Sequence, residues 1–135
     1  MSKESVKQWI IKAEHDLKTA KDEIITDNPA TDVVCFHTQQ CAEKYLKAYL
    51  VYNDIEITKS LKTHDISELI DFCKDIETMF GQVISENEAD KLTNYAIEIR
   101  YPDDFYFPSI EESESAIETA EKVKGFILNK IKHDF

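Results

Sequence analysis

Glycine and proline are scarce in this chain, with 2 and 3 among 135 residues, where average usage would supply about 9 and about 7. That shortage excludes turn-rich β architectures, collagen-like repeats and phosphate-cradling glycine loops. Arginine is nearly absent too: Arg100 stands alone among fifteen lysines. The three cysteines, Cys35, Cys41 and Cys73, are odd in number and show no C-x-x-C spacing, so they read as reduced core thiols. No apolar run approaches the roughly 20 residues of a membrane span, and Lys3, Glu4, Lys7, Lys12 and Glu14 interrupt any secretory signal. The expectation is a cytoplasmic protein with no membrane association.

Positive charge is also in deficit. Sixteen basic against 27 acidic residues give a net charge of −11 and a pI near 4.7, which opposes broad adhesion to phosphate backbones or anionic lipids. RNA contact is disfavoured unless local. From Tyr101 to Glu121 there are seven acidic residues and no basic one. The four histidines, His15, His37, His64 and His133, lack the helical spacing of a metal site. No P-loop, G-x-G-x-x-G or H-E-x-x-H occurs, so no metal and no cofactor is expected.

What remains is helical periodicity, and the length suits one domain over residues 1–135. Val6, Trp9, Ile10, Ala13, Leu17, Ala20 and Ile24 recur at spacings of three and four, behind a capping box at Ser5 to Gln8. Asp27-Asn28-Pro29 ends that helix. A second helix, from about Thr31 to Tyr52, is apolar over most of its circumference and must lie centrally or against a partner subunit. Its polar stripe, His37, Gln40, Lys44 and Lys47, needs water or a partner to solvate it. A polar connection over 53–62 leads to a D-x-x-E start at Asp65 and a third helix through Ile66, Leu69, Ile70, Cys73, Ile76 and Phe80, stopping near Gly81. Ser85 to Glu88 caps a fourth helix that ends near Arg100-Tyr101-Pro102, and Ser109 starts a fifth with Ala116, Ala120, Val123, Ile127 and Ile131 inward. These segments make an all-α, up-and-down bundle of about five helices.

The second helix reads His37-Thr38-Gln39-Gln40-Cys41-Ala42-Glu43-Lys44-Tyr45-Leu46-Lys47-Ala48. It resembles the H-x-Q-Q-x-A-E-K-x-L-K-A signature of the HEPN domain family, helical bundles named for nucleotide binding in prokaryotes and higher eukaryotes. Trp9 to Leu17, Thr63-His64-Asp65-Ile66 and Arg100-Tyr101-Pro102-Asp103 agree with it in order and spacing. The resemblance implies a bundle that commonly dimerises and is often encoded with a minimal nucleotidyltransferase. Many members are metal-independent ribonuclease toxins of toxin–antitoxin pairs, with an R-x4-6-H motif in which arginine steadies phosphate charge and histidine moves protons. Here Phe105 and Phe107 stand where a toxin subgroup has histidine and tyrosine, and Asp103 and Asp104 flank the arginine.

Three readings follow. The first is an accessory module that binds a nucleotide or a nucleotidyltransferase partner, with Lys44 and Arg100 toward an anionic group, His37 and Gln40 as hydrogen-bonding neighbours, and Tyr101 or Tyr106 against a base. The second is a metal-independent ribonuclease with a displaced proton carrier, for which Arg100, His37 and His64 are the candidates. The third is a non-catalytic dimeric interaction bundle, and in every reading the chain is expected to self-associate as a homodimer through a face that includes the second helix or the corner from Arg100 to Pro108. For His64 the plain alternative is a helix-start hydrogen bond beside Asp65. For His37, Gln40 and Lys44 it is a polar network that fixes packing register. A lysine on a helix this apolar either pairs with a carboxylate or meets an anion.

Overall fold

The computed structural model describes residues 3–100 and 106–131, with the side chains of 97–100 outside the described set. Five α-helices carry the fold: α1 (Lys3–Ile24), α2 (Thr31–Tyr52), α3 (Ile66–Lys74), α4 (Glu86–Arg100) and α5 (Ile110–Ile131). Two short 3₁₀ turns, Lys59–Leu61 and Thr78–Gln82, lie in the connections, and no strand occurs among the described residues. The bundle is all-α, as its periodicity requires.

Helix α2 is the centre, and every other helix packs on it, α1 most extensively. Val34, Cys35, Cys41, Ala42, Tyr45, Leu46, Ala48, Tyr49 and Leu50 are all buried, in keeping with a helix that is apolar over most of its circumference. Of the two placements its composition leaves open, the structure adopts the first: the core surrounds it. At its end Asp54 takes φ 63°, while the Asp54 amide donates to Val51 O and the Ile55 amide to Leu50 O, each at 3.0 Å. This closure needs one left-handed residue, a conformation aspartate tolerates better than most.

The thiols of Cys35, Cys41 and Cys73 are buried and unbridged. Burial pushes those of Cys41 and Cys73 up to about 12, which leaves them protonated and inert.

Two local expectations are corrected. Helix α1 already includes Lys3, so Ser5 lies inside its first turn, and Gln8 donates to Glu4 at 2.9 Å instead of completing a capping box. Helix α3 stops at Lys74, well short of Gly81. Beyond it, Asp75 and Glu77 put negative charge at a helix C-terminus, where the dipole opposes it. Glu77 caps the next turn by accepting from the Met79 amide at 3.2 Å. Phe80 nevertheless reaches the core, 4.6 Å from the Tyr49 ring and 4.7 Å from Phe126, so periodicity found the right buried residue on the wrong backbone.

The other caps form as the spacing predicts. Ser85 Oγ accepts from the Glu88 amide at 3.0 Å and Glu88 accepts from the Ser85 amide at 2.9 Å. Ser109 Oγ accepts from the Glu112 amide at 3.0 Å, and Asp65 from the Glu68 amide at 3.2 Å. Asp65→Ala should lower unfolding stability by about 1 kcal/mol, read as a lower urea midpoint with an unchanged slope.

Candidate functional site

The polar stripe of α2 is not turned to bulk water. It meets α1, whose inward face of Val6, Ala13, Leu17 and Ala20 carries one charged residue, Asp16. Asp16 Oδ1 lies 2.7 Å from His37 Nδ1, and its Oδ2 accepts from Lys44 Nζ at 2.5 Å. Lys44 also donates to Gln40 Oε1 at 3.3 Å. Of the two outcomes open to this lysine, the structure shows the carboxylate.

A second group repeats the pattern one turn along α2. Glu43 Oε1 lies 2.8 Å from His64 Nδ1, and Glu43 Oε2 accepts from Lys47 Nζ at 2.9 Å. The Lys47 ammonium also sits 5.7 Å from the Trp9 ring centroid, where the π face adds attraction. Two glutamines join the groups: Gln40 Nε2 donates to Gln39 Oε1 at 2.7 Å, and Gln39 Nε2 donates to Glu43 Oε1 at 3.0 Å and to the His64 carbonyl at 2.9 Å. Each unit is therefore a carboxylate held between a histidine and a lysine, and a glutamine bridge makes them one network across α1, α2 and the start of α3.

The depth of the two units differs. The Lys47 and Glu43 side chains are 6% and 5% exposed, whereas Lys44 and His37 stand at 23% and 26% around an Asp16 at 11%. Burial disfavours charge on Glu43, but hydrogen bonds from Lys47, His64 and Gln39 together outweigh it and hold the carboxyl below its ordinary value. Every buried side-chain polar atom among the described residues has a partner. A fully satisfied network of this kind fixes the register of the helices that share it.

Chemically, the carboxylates also fix ring tautomers. Asp16 accepts at His37 Nδ1 and Glu43 at His64 Nδ1, an arrangement that orients each imidazole. The helix-start role expected of His64 belongs to Asp65, and the His64 ring turns back to α2 because Glu43 offers a buried counter-charge.

His37, Gln40, Lys44 and His64 are thus brought together. Tyr106 belongs to a separate cluster, where its hydroxyl donates to Glu112 Oε1 while the Tyr95 hydroxyl donates to Glu112 Oε2 at 2.5 Å. The Arg100 side chain and all of Tyr101 lie outside the described residues. The sequence reading missed Asp16, Gln39, Glu43 and Glu112. Among the described residues, no group of three or more His, Cys, Asp or Glu side chains is arranged to hold a metal, and no helix is long and apolar enough to cross a membrane.

A central helix wrapped by four others, with an interhelical polar network along one side, defines this chain as an all-α bundle of the kind its second helix resembles. It belongs to the HEPN domain family, whose profile matches residues 6–131. Two solved structures share the fold. One is ST0689, described as an archaeal HEPN homologue, with 25% identity, a TM-score of 0.67, and coverage of 93% of this chain and 97% of that one. The other is TT1696 from Thermus thermophilus, with 26% identity, a TM-score of 0.68 and the same coverage. No curated protein matches the chain.

Proposed function

We propose that this HEPN domain protein is an accessory module for a nucleotidyltransferase partner and acts by binding that protein rather than a free nucleotide. The carrying observation is the internal pairing of Lys44. Its ammonium lies 2.5 Å from Asp16 Oδ2, so the anion-binding role is already filled by the chain's own carboxylate. A phosphate would have to displace Asp16 and leave it beside an anion, which costs several kcal/mol at a site this shielded. The net charge of −11 adds to that barrier.

Two measurements test this reading. The tagged protein purified under native conditions from its own cells should carry a nucleotidyltransferase in stoichiometric amount. Recovery of the chain alone overturns it. Thermal unfolding with adenine, guanine, cytosine and uracil nucleotides should show no shift, whereas a nucleotide at a hundred times its Kd would raise Tm by about 10 °C.

The ribonuclease reading draws its support from His37, whose Nδ1 is held by Asp16 on a ring 26% exposed. It requires RNA cleavage without added metal, lost in Arg100→Ala and His37→Ala. The accessory reading expects intact RNA at high protein concentration. The interaction-bundle reading expects a stable dimer by light scattering, with no nucleotidyltransferase bound and no thermal shift from any nucleotide.

A further inference from the structure

Helices α4 and α5 both rest on α2 but touch each other sparsely. Between them runs a cleft of about 560 Å³. Its floor is apolar, from the buried side chains of Leu92, Tyr95 and Ala116, and its walls carry Glu88, Glu111 and Glu112, with Lys91 as the one lining cation among the described residues. Glu88 is already engaged by Lys122 at 3.0 Å and Glu112 by two tyrosine hydroxyls. Glu111 is exposed, in a stretch from Tyr106 to Glu121 with no basic residue.

Tyr106 lines the cleft, and the exposed apolar side chains of Phe107 and Ile110 follow it in the chain as a lip. Tyr106 is 46% exposed, Phe107 69% and Ile110 46%. No other five-residue stretch of the described chain exposes three large apolar side chains. Patches of this kind, rimmed by charge, mark interaction sites.

We infer that the α4/α5 cleft and its Tyr106, Phe107, Ile110 lip form the docking surface for an amphipathic, lysine- or arginine-bearing helix of the partner protein. The inference rests on the proposed function in taking the partner to be a protein. The groove between two helices accepts the side-chain ridge of a third. The apolar floor and lip call for an apolar stripe on that helix, and the acidic walls call for flanking cations. A second copy of this chain fits poorly, because its own net charge of −11 would face the same walls. A small polyamine would answer the carboxylates but leave Phe107 and Ile110 uncovered.

The full-length protein, labelled with ¹⁵N, would be titrated with a synthetic helix of about 18 residues carrying leucine at every third or fourth position and lysine or arginine elsewhere. Amide shifts should concentrate at Leu92, Tyr95, Phe107, Ser115 and Ala116. The double variant Phe107→Ser/Glu111→Lys changes two exposed side chains and should weaken binding about tenfold or more, with an unaltered Tm. A control, Glu56→Lys/Asp71→Lys, alters charge outside the cleft and should change affinity less than about threefold. No binding, shifts spread over other faces, or equal weakening by both variants would overturn the inference.

Co-purification separates this inference from the reading beneath it. A nucleotidyltransferase retained equally by wild type and Phe107→Ser/Glu111→Lys refutes the cleft and leaves the function standing. Its loss from that variant alone supports both. Its absence from wild type refutes the function, and the peptide titration then decides the cleft by itself.

Discussion

Asp16→Ala is expected to cost about 2–4 kcal/mol of unfolding free energy, a large share of the 5–15 kcal/mol typical of a domain. Among the described residues, this carboxylate alone meets both His37 Nδ1, at 2.7 Å, and Lys44 Nζ, at 2.5 Å. Removing it leaves a lysine with one neutral contact, Gln40 Oε1 at 3.3 Å, on a side chain 23% exposed. The range sits below that of a fully buried pair because both partners reach water at one edge. A second substitution separates lost packing from stranded charge. Lys44→Met removes the ammonium while keeping its stem length, so Asp16→Ala/Lys44→Met should be more stable than the sum of the singles by about 1–3 kcal/mol. Urea unfolding of the four proteins closes the cycle, and strict additivity would show that the pair contributes nothing.

The network was half visible in the sequence, and the missing half is instructive. His37, Gln40, Lys44 and Lys47 stand out because α2 is apolar over most of its circumference. Their partners do not stand out, because acidic residues are common on amphipathic helices and composition cannot say which of them face inward. A usable signal was nonetheless present: Asp16 falls three residues after Ala13 and four before Ala20, which places it on the apolar face of α1. Glu43 similarly lies three before Leu46 and four before Lys47, a lysine that proves to be 6% exposed.

Element boundaries followed the strength of their local chemistry. The limits Thr31 and Tyr52 of α2 were legible because Pro29 and the Asn53-Asp54 turn bracket a stretch that is apolar over most of its helical circumference. The end of α3 was not, because Ile76 and Phe80 keep helical spacing after the helix has stopped, and Glu77 capping its own turn gives no periodic signal. The cleft between α4 and α5 was invisible for a different reason. It arises from how far apart two helices sit on α2, a tertiary quantity that neither helix encodes by itself.

Glu43→Gln should cost about 3–5 kcal/mol near neutral pH, more than the Asp16 change, because Glu43 and Lys47 are the deeper pair at 5% and 6% exposure. The substitution keeps side-chain shape and a hydrogen-bonding oxygen, so the loss reports charge rather than a cavity. Lys47 and His64 then share a site with no anion. The same variant also tests the acid behaviour of the fold. Burial pushes the Glu43 carboxyl up, the bonds from Lys47, His64 and Gln39 pull it down further, and the net value is below the ordinary 4.5. A group depressed in the folded state stabilises fully above its unfolded value and loses that contribution as pH falls through its folded value. The wild-type urea midpoint should therefore drop as pH falls below the ordinary carboxyl value, and the variant should fall less steeply there, so the two curves converge on acidification. Glu14 is depressed in the same sense, since bonds from Tyr45 and Lys124 outweigh its burial, so the variant's acid limb flattens without vanishing. Parallel curves across that window would show that Glu43 carries no protonation-linked stability.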